Sequence, residues 1–121
     1  AARIREAERE CAPPQCTSIL LDGGDEFQGT PASNLAYGRP VVTLFDSLGV
    51  VAGALGNHES DWGQDTLRAR MREATYAILG ANVRDTAGRR PAWLRGDTLV
   101  ERDGLKIGVI GIATVETPST T

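Results

Sequence analysis

Two polar loops hold the side chains best suited to chemistry. Asp25 follows the apolar run at residues 18–21, and His58 lies in the polar segment 56–63, directly after the apolar run 50–55. A carboxylate, an amide oxygen and an imidazole gathered at one place suit hard or borderline divalent metal ions, and one carboxylate can bridge two such ions. The sequence therefore indicates a candidate metal site with Asp25 as the bridging ligand. The alternative is that these Asp and Asn residues serve only as turn formers.

His58 is the single histidine of the chain. It lies in a polar loop between glycines, and Asp61 follows three residues later, so Asp61 can hold one ring nitrogen while the other meets a substrate. Such an oriented pair can donate or share a proton. The competing interpretation is a structural or exposed histidine, which is the more common role of a lone histidine.

Strands and helices alternate around these loops. The apolar runs 18–21 and 50–55 predict buried strands that each end at a polar loop. Residue propensity and apolar spacing predict helices at Ala2–Glu10, 40–48 and 64–74. Strands that alternate with helices in this way are typical of parallel βαβ units.

The last third of the chain has a different pattern. A strand is expected at 76–83, and Asp103-Gly104 separates the β-prone runs 97–102 and 105–112, which is a strong hairpin signal. We therefore predict an α/β fold that consists of a parallel sheet with a C-terminal β-hairpin. In such a sheet the loops beyond neighbouring strands meet at one edge, so Asp25 is expected to face the loop that carries His58.

Charge and hydropathy exclude several functions. The 121 residues include 13 Lys and Arg against 16 Asp and Glu, a net charge of −3, and no basic cluster offers a nucleic-acid surface. The apolar stretches around 48–55 and 105–115 are far shorter than the ~20 residues of a membrane span. The first ten residues contain no initiating Met and no apolar signal-peptide core, as expected of a processed or truncated chain.

Cys11 and Cys16 are the two cysteines of the chain. Their spacing is too wide for a Cys-x-x-Cys redox motif, and no further Cys or His is placed to complete a zinc site. Either a disulfide, which would imply an exported protein, or two free thiols fit this pair. The disulfide is the favoured interpretation.

Two motif blocks resemble those of the calcineurin-like metallophosphoesterases, and in particular their bacterial 5'-nucleotidase branch. Asp25 lies in GGDEFQGT and His58 lies in GNHESDWG, and the similarity continues through GRPVVTLFDSLG and GLKIGVIGIATVETP. The resemblance implies an α/β/β/α sandwich-type fold, of which this chain would be a partial core. It also implies hydrolysis of phosphate monoesters, with nucleotides as the expected substrates.

The same resemblance implies a role for each site residue. Asp25 matches the ligand that bridges two divalent metal ions, and Asn57 matches an amide ligand of one ion. His58 matches the histidine that contacts the phosphate, and Asp61 matches the acid that orients it. In the family a metal-bound hydroxide attacks phosphorus in line. The motifs do not distinguish Mn, Zn, Mg, Fe and Ca.

The chain also departs from the family pattern at some positions and lacks a counterpart to several family motifs within residues 1–121. Glu59 is expected to fix its loop without taking part in chemistry, and Ser60 replaces the aromatic residue common at that position. The family's Asp-x-His block, its downstream histidines and its C-terminal nucleotide-recognising domain are not found in residues 1–121. We therefore expect 1–121 to be part of a catalytic domain that has little or no turnover alone, from a periplasmic or secreted protein.

Two other functions fit parts of the sequence. One is a non-catalytic structural or interaction module of the same fold. The other is suggested by residues 23–27, which spell GGDEF, the signature of diguanylate cyclases. In those enzymes the motif lies on a hairpin, whereas here Gln28-Gly29-Thr30-Pro31 follows it, and the GNHE block has no place in that family. Cyclase activity is therefore disfavoured.

Overall fold

The helices and strands follow the predicted alternation, in a computed structural model that describes residues 2–11 and 16–115. In chain order they are α1 (Ala2–Glu10), β1 (Leu20–Asp22), α2 (Pro31–Asn34), α3 (Arg39–Leu48), β2 (Val50–Ala54), a 3-10 turn (His58–Ser60), α4 (Gln64–Glu73), β3 (Ala77–Leu79), β4 (Asp97–Arg102) and β5 (Leu105–Ile110). This order confirms the predicted α/β class with a C-terminal hairpin.

The three short strands β1, β2 and β3 form one parallel sheet in that spatial order. Leu21 pairs with Ala52, and Ala52 pairs in turn with Ala77. Helices connect these strands, as parallel neighbours require. The carboxyl ends of β1 and β2 therefore meet at one edge of the sheet, which is where the predicted site residues follow.

The hairpin of β4 and β5 is antiparallel and continues from the sheet through a parallel bridge between Leu79 and Arg95. Its turn residues Asp103 and Gly104 both have positive φ, 50° and 80°. That combination is what a two-residue type I′ turn needs, and it explains why Asp-Gly was a reliable signal.

The structure differs from the predicted elements at three places. The first strand lies at Leu20–Asp22 rather than 18–21, so Asp22 is part of it. The strand predicted at 76–83 is confined to Ala77–Leu79, because the chain then leaves β2 and bonds instead to the hairpin region. The short helix Pro31–Asn34 was not predicted, since four residues are too few for an apolar period.

The core lies between the sheet and the helices. Its largest fully buried apolar side chains are Phe27, Leu67 and Leu79, at 0%, 1% and 0% exposure. Phe27 comes two residues after Asp25 and packs so closely on Gly38 that a Cβ there would lie 2.9 Å from the Phe27 ring. Burial of one such side chain is worth about 1.5–3 kcal/mol, so Phe27 ties the Asp25 loop to the core.

The structure joins Cys11 and Cys16 by a disulfide, with Cα atoms 5.1 Å apart. This agrees with the favoured interpretation of the cysteine pair. Among the residues described, no helix has both the length and the apolar character to cross a membrane.

Candidate active site

Asp25 lies on a tight loop that follows β1. Gly24 has φ of 91° and Asp25 has φ of 67°, so both residues are in the left-handed region. A Cβ on Gly24 would lie 2.8 Å from the carbonyl oxygen of Ala54 and 2.8 Å from the backbone nitrogen of Gly56. Only glycine permits this approach, and it brings the Asp25 loop against the end of β2.

The second loop begins where β2 ends and contains the 3-10 turn His58–Ser60. The backbone N–H of His58 donates to Oδ1 of Asp25 at 3.1 Å. Asn57, directly before this turn, is 9% exposed. The structure therefore brings Asp25 to the same sheet edge as Asn57 and His58, as the parallel topology predicted.

His58 and Asp61 form a direct side-chain pair. Nδ1 of His58 lies 2.8 Å from Oδ2 of Asp61. The hydrogen bond to Asp61 raises the pKa of His58 above its ordinary 6.5, and the negative charges of Asp61, Asp25 and Glu59 add to it, while partial loss of water opposes the shift. Because Asp61 engages Nδ1, the ring is oriented and Nε2 is left for a second interaction.

Glu59 is almost fully buried between the two loops, at 1% exposure. Its Oε2 accepts the backbone N–H groups of Asp25 at 3.0 Å and Gly56 at 2.7 Å, and its Oε1 accepts that of Phe27 at 3.2 Å. These contacts confirm the prediction that Glu59 fixes its loop. They also extend that prediction, because Glu59 holds the Asp25 loop as well.

A second acid beside the loops, Glu26, is half-buried and was not predicted. Its burial, together with the charges of Glu59 and Asp22, raises the pKa of Glu26 far above its ordinary value of 4.5. This environment therefore favours the protonated form of Glu26. The sequence carries no signal for it beyond three acidic residues within five positions, which equally describes an exposed loop.

The oxygen donors of the two loops fit part of a divalent cation site. The carboxylate of Asp25 is exposed and the amide of Asn57 lies on the facing loop, and both supply the oxygen ligands that Mg²⁺, Mn²⁺ and Ca²⁺ prefer. Within residues 2–11 and 16–115 no three His, Cys, Asp or Glu side chains cluster in a way that could hold a metal ion. Asp25 and Asn57 would supply two of the oxygen ligands of such an ion.

The comparisons with known proteins agree on one kind of relative. The chain is 38% identical over 121 residues to a snake venom 5'-nucleotidase of Gloydius brevicauda, covering 97% of this chain and 21% of that protein. It is 36% identical over 115 residues to a 5'-nucleotidase of Vibrio vulnificus, covering 94% of this chain and 20% of the relative. No protein-family model matches the chain.

The fold gives the same result. A 5'-nucleotidase precursor from Thermus thermophilus superposes with a TM-score of 0.74 at 34% identity, covering 83% of this chain and 20% of that one. The calcineurin-like phosphoesterase YfkN from Bacillus subtilis superposes with a TM-score of 0.78 over 98% of this chain and 40% of that one, at 24% identity. The chain is therefore similar in sequence to 5'-nucleotidases and in fold to a calcineurin-like phosphoesterase. It spans about a fifth of the length of the 5'-nucleotidases that it matches.

The structure argues against the diguanylate cyclase alternative. The GGDEF letters at residues 23–27 follow the parallel strand β1, and no hairpin in the described part of the chain carries them. Glu26, the fourth letter, is partly buried behind the loop.

Ser60 lies on the wall of an open cleft of about 750 Å³ beside the two loops, with Gly56, Gln64, Val83 and Trp93 among its other lining residues. The hydrogen bonds that join Asp25, His58 and Asp61 do not involve Ser60. The expected effect of Ser60 on the packing of its loop stays a prediction.

Proposed function

We propose that the protein containing this chain hydrolyses phosphate monoesters, with nucleotides as substrates, and uses two divalent metal ions. The observation that carries the proposal is the His58–Asp61 pair at 2.8 Å, held within one hydrogen bond of Asp25. The coverage of about one fifth of the 5'-nucleotidase relatives supports the further proposal that 1–121 is part of a larger catalytic domain.

Each residue has a distinct role in this proposal. Asp25 would hold both ions, and Asn57 would hold one of them. When bound, the ions would neutralise charge on the phosphoryl oxygens and activate the attacking water. His58 presents Nε2 to a phosphoryl oxygen, where a proton on the ring stabilises the charge that develops in the transition state.

Asp61 is the positioning residue for His58. Its hydrogen bond to Nδ1 orients the ring, and the raised pKa keeps the ring protonated to higher pH than a free histidine. A positioned proton donor of this kind contributes roughly 10² to 10⁴ in rate.

The disulfide Cys11–Cys16 and the venom relative support an exported protein as the parent. The net charge of −3 supports a small phosphate ester rather than nucleic acid as the partner.

The test compares three variants of the whole protein. His58→Ala is expected to lower phosphate release from nucleoside monophosphates while metal content, measured by plasma mass spectrometry, stays near that of the wild type. Asp25→Asn is expected to lower both quantities. Asp97→Asn on β4 is the control, because Asp97 is exposed and far along the chain from both loops.

Near-normal turnover in both site variants would contradict the assignment. Metal binding that does not respond to Asp25→Asn would favour the non-catalytic module instead. Consumption of guanosine triphosphate is not expected in any variant.

A further inference from the structure

The burial of Glu59 needs a physical explanation, because a carboxylate is costly to remove from water unless donors replace its hydration. Glu59 is 1% exposed, and its two oxygens receive three backbone N–H groups. Hydrogen bonds to a charged acceptor are stronger than those between neutral groups. The three donors therefore compensate the burial, and Glu59 is held in one position.

The three donors come from both loops of the site. Oε2 of Glu59 accepts from Gly56, at the start of its own loop, and from Asp25, on the facing loop, at 2.7 and 3.0 Å. One oxygen atom thus joins the two loops. The bond to Phe27 at 3.2 Å adds a second attachment on the Asp25 side.

The bond to Asp25 acts on a residue in an unfavourable conformation. Asp25 has φ of 67°, in the left-handed region that L residues other than glycine adopt uncommonly, Asp and Asn more often than the rest. Its N–H is bonded to Glu59, and its Oδ1 accepts the N–H of His58 at 3.1 Å. Without Glu59 the Asp25 backbone can relax, and the direction of its carboxylate relative to His58 changes.

We propose that Glu59 is a positioning residue that sets the backbone of Asp25, and through it the direction in which the Asp25 carboxylate meets a metal ion. This rests on the proposed function for the metal ligand itself. The backbone effect of Glu59 on Asp25 and His58 does not depend on that function. Outer contacts of this kind characteristically change metal affinity by about 10- to 100-fold.

The test uses Glu59→Gln in the whole protein, with Glu101→Gln as the matched control. Glu101 is exposed on β4, so the same chemical change there removes no buried contact. In Glu59→Gln the amide oxygen can still accept from two donors, but the amide NH₂ then faces the N–H of Phe27. We expect the variant to fold and to retain part of the Glu59 contacts.

Two measurements are made below the unfolding transition of every variant. The first is Mn²⁺ affinity, followed by the electron paramagnetic resonance signal of free Mn²⁺. The second is the set of backbone amide NMR shifts of Asp25 and His58 in metal-free protein. Glu59→Gln is expected to weaken Mn²⁺ binding by about tenfold or more and to move both amide shifts, whereas Glu101→Gln changes neither.

A purely structural role predicts a different result. If Glu59→Gln lowers the melting temperature but leaves the Mn²⁺ affinity and the His58 amide shift equal to those of Glu101→Gln, the proposal is overturned. The Asp25 amide shift moves under either role, because this N–H is bonded directly to Glu59. If the wild type binds no Mn²⁺, the proposed function fails, and the His58 amide shift alone still decides the role of Glu59, because the His58 N–H bonds to the Asp25 carboxylate and not to Glu59. Should Glu59→Gln not fold, Glu59→Asp provides the same comparison, because it keeps the charge but is one methylene too short to reach all three donors.

Discussion

Replacement of Gly56 by alanine is the most direct perturbation of the joined loops. A Cβ at this position would lie 2.6 Å from Oε2 of Glu59, and closer still to the backbone nitrogen and Oδ1 of Asp25. Gly56 does not have a positive φ, so alanine fits its backbone conformation and the contacts alone decide the outcome. Contacts this short force the neighbours to move by about half an ångström or more.

The cost can be worked out from the contacts that must change. Insertion of a methyl group into a packed site costs about 1–3 kcal/mol. The bonds from Gly56 and Asp25 to Glu59 are stretched at the same time, and loss of a hydrogen bond to a charged group costs about 1.5–3 kcal/mol. We expect Gly56→Ala to lower the free energy of unfolding by about 3–5 kcal/mol.

Gly23→Ala is the matched control at the same sheet edge. No atom lies within 4 Å of a Cβ built at Gly23, and its φ is not positive. Alanine there should be neutral or should stabilise by up to about 1 kcal/mol through the unfolded state. The assay is urea unfolding of the whole protein followed by circular dichroism, with Mn²⁺ affinity measured on the folded variants.

Neutral surface substitutions usually change the free energy of unfolding by no more than about 0.5 kcal/mol. If the unfolding free energies of Gly56→Ala and Gly23→Ala differ by less than this, the contacts beside Gly56 do not have the expected effect. A large loss of stability in Gly56→Ala with unchanged Mn²⁺ affinity would show that the site has no room for a Cβ. It would also show that the contacts between the loops do not affect metal binding.

Three further predictions concern single side chains. Asp61→Asn should lower the pKa of His58, so the ring loses its proton at lower pH; an NMR titration of the metal-free protein that shows an unchanged pKa would contradict this. Asn82→Ala should cost about 2–3 kcal/mol of unfolding free energy, because Asn82 exchanges two hydrogen bonds with the buried backbone of Ala113, at 2.7 and 2.9 Å. Phe27→Ala should cost about 3–5 kcal/mol in urea unfolding, since its ring is fully buried; a loss under about 1 kcal/mol would show that Phe27 does not anchor the Asp25 loop.

The sequence was most informative where local patterns are short and strongly favoured. The helices at Arg39–Leu48 and Gln64–Glu73 follow from apolar spacing, and the hairpin turn follows from Asp103-Gly104. A signal for the short helix that was missed is Thr30 followed by Pro31, because Thr is a common N-cap residue and Pro is common at the first helical position. In the structure the Thr30 hydroxyl accepts the backbone N–H of Ser33 at 3.2 Å. The ends of β1 and β3 were misplaced because strand length depends on the pairing partner.

The sequence also predicted which residues gather at the candidate site. Asp25, Asn57, His58 and Asp61 stood at the ends of predicted strands, and a parallel sheet brings such ends together whatever the details of the loops. Their roles in binding metal and phosphate stay predictions. The spacing of three residues between His58 and Asp61 allowed the contact at 2.8 Å that the structure contains.

The order of elements, the sheet edge and the residues gathered there thus follow from local patterns in the chain. How the two loops are joined, through the three donors to Glu59 and the lack of room beside Gly56, is visible only in the folded molecule. The same holds for the raised pKa of Glu26, since the pKa of a carboxyl group depends on the water and charges around it. The Glu59 contacts, the close approach at Gly56 and the pKa of Glu26 have one common cause. Loop contacts and burial arise largely between residues far apart in the chain, such as Asp25 and Glu59, and no local pattern encodes their distance in space.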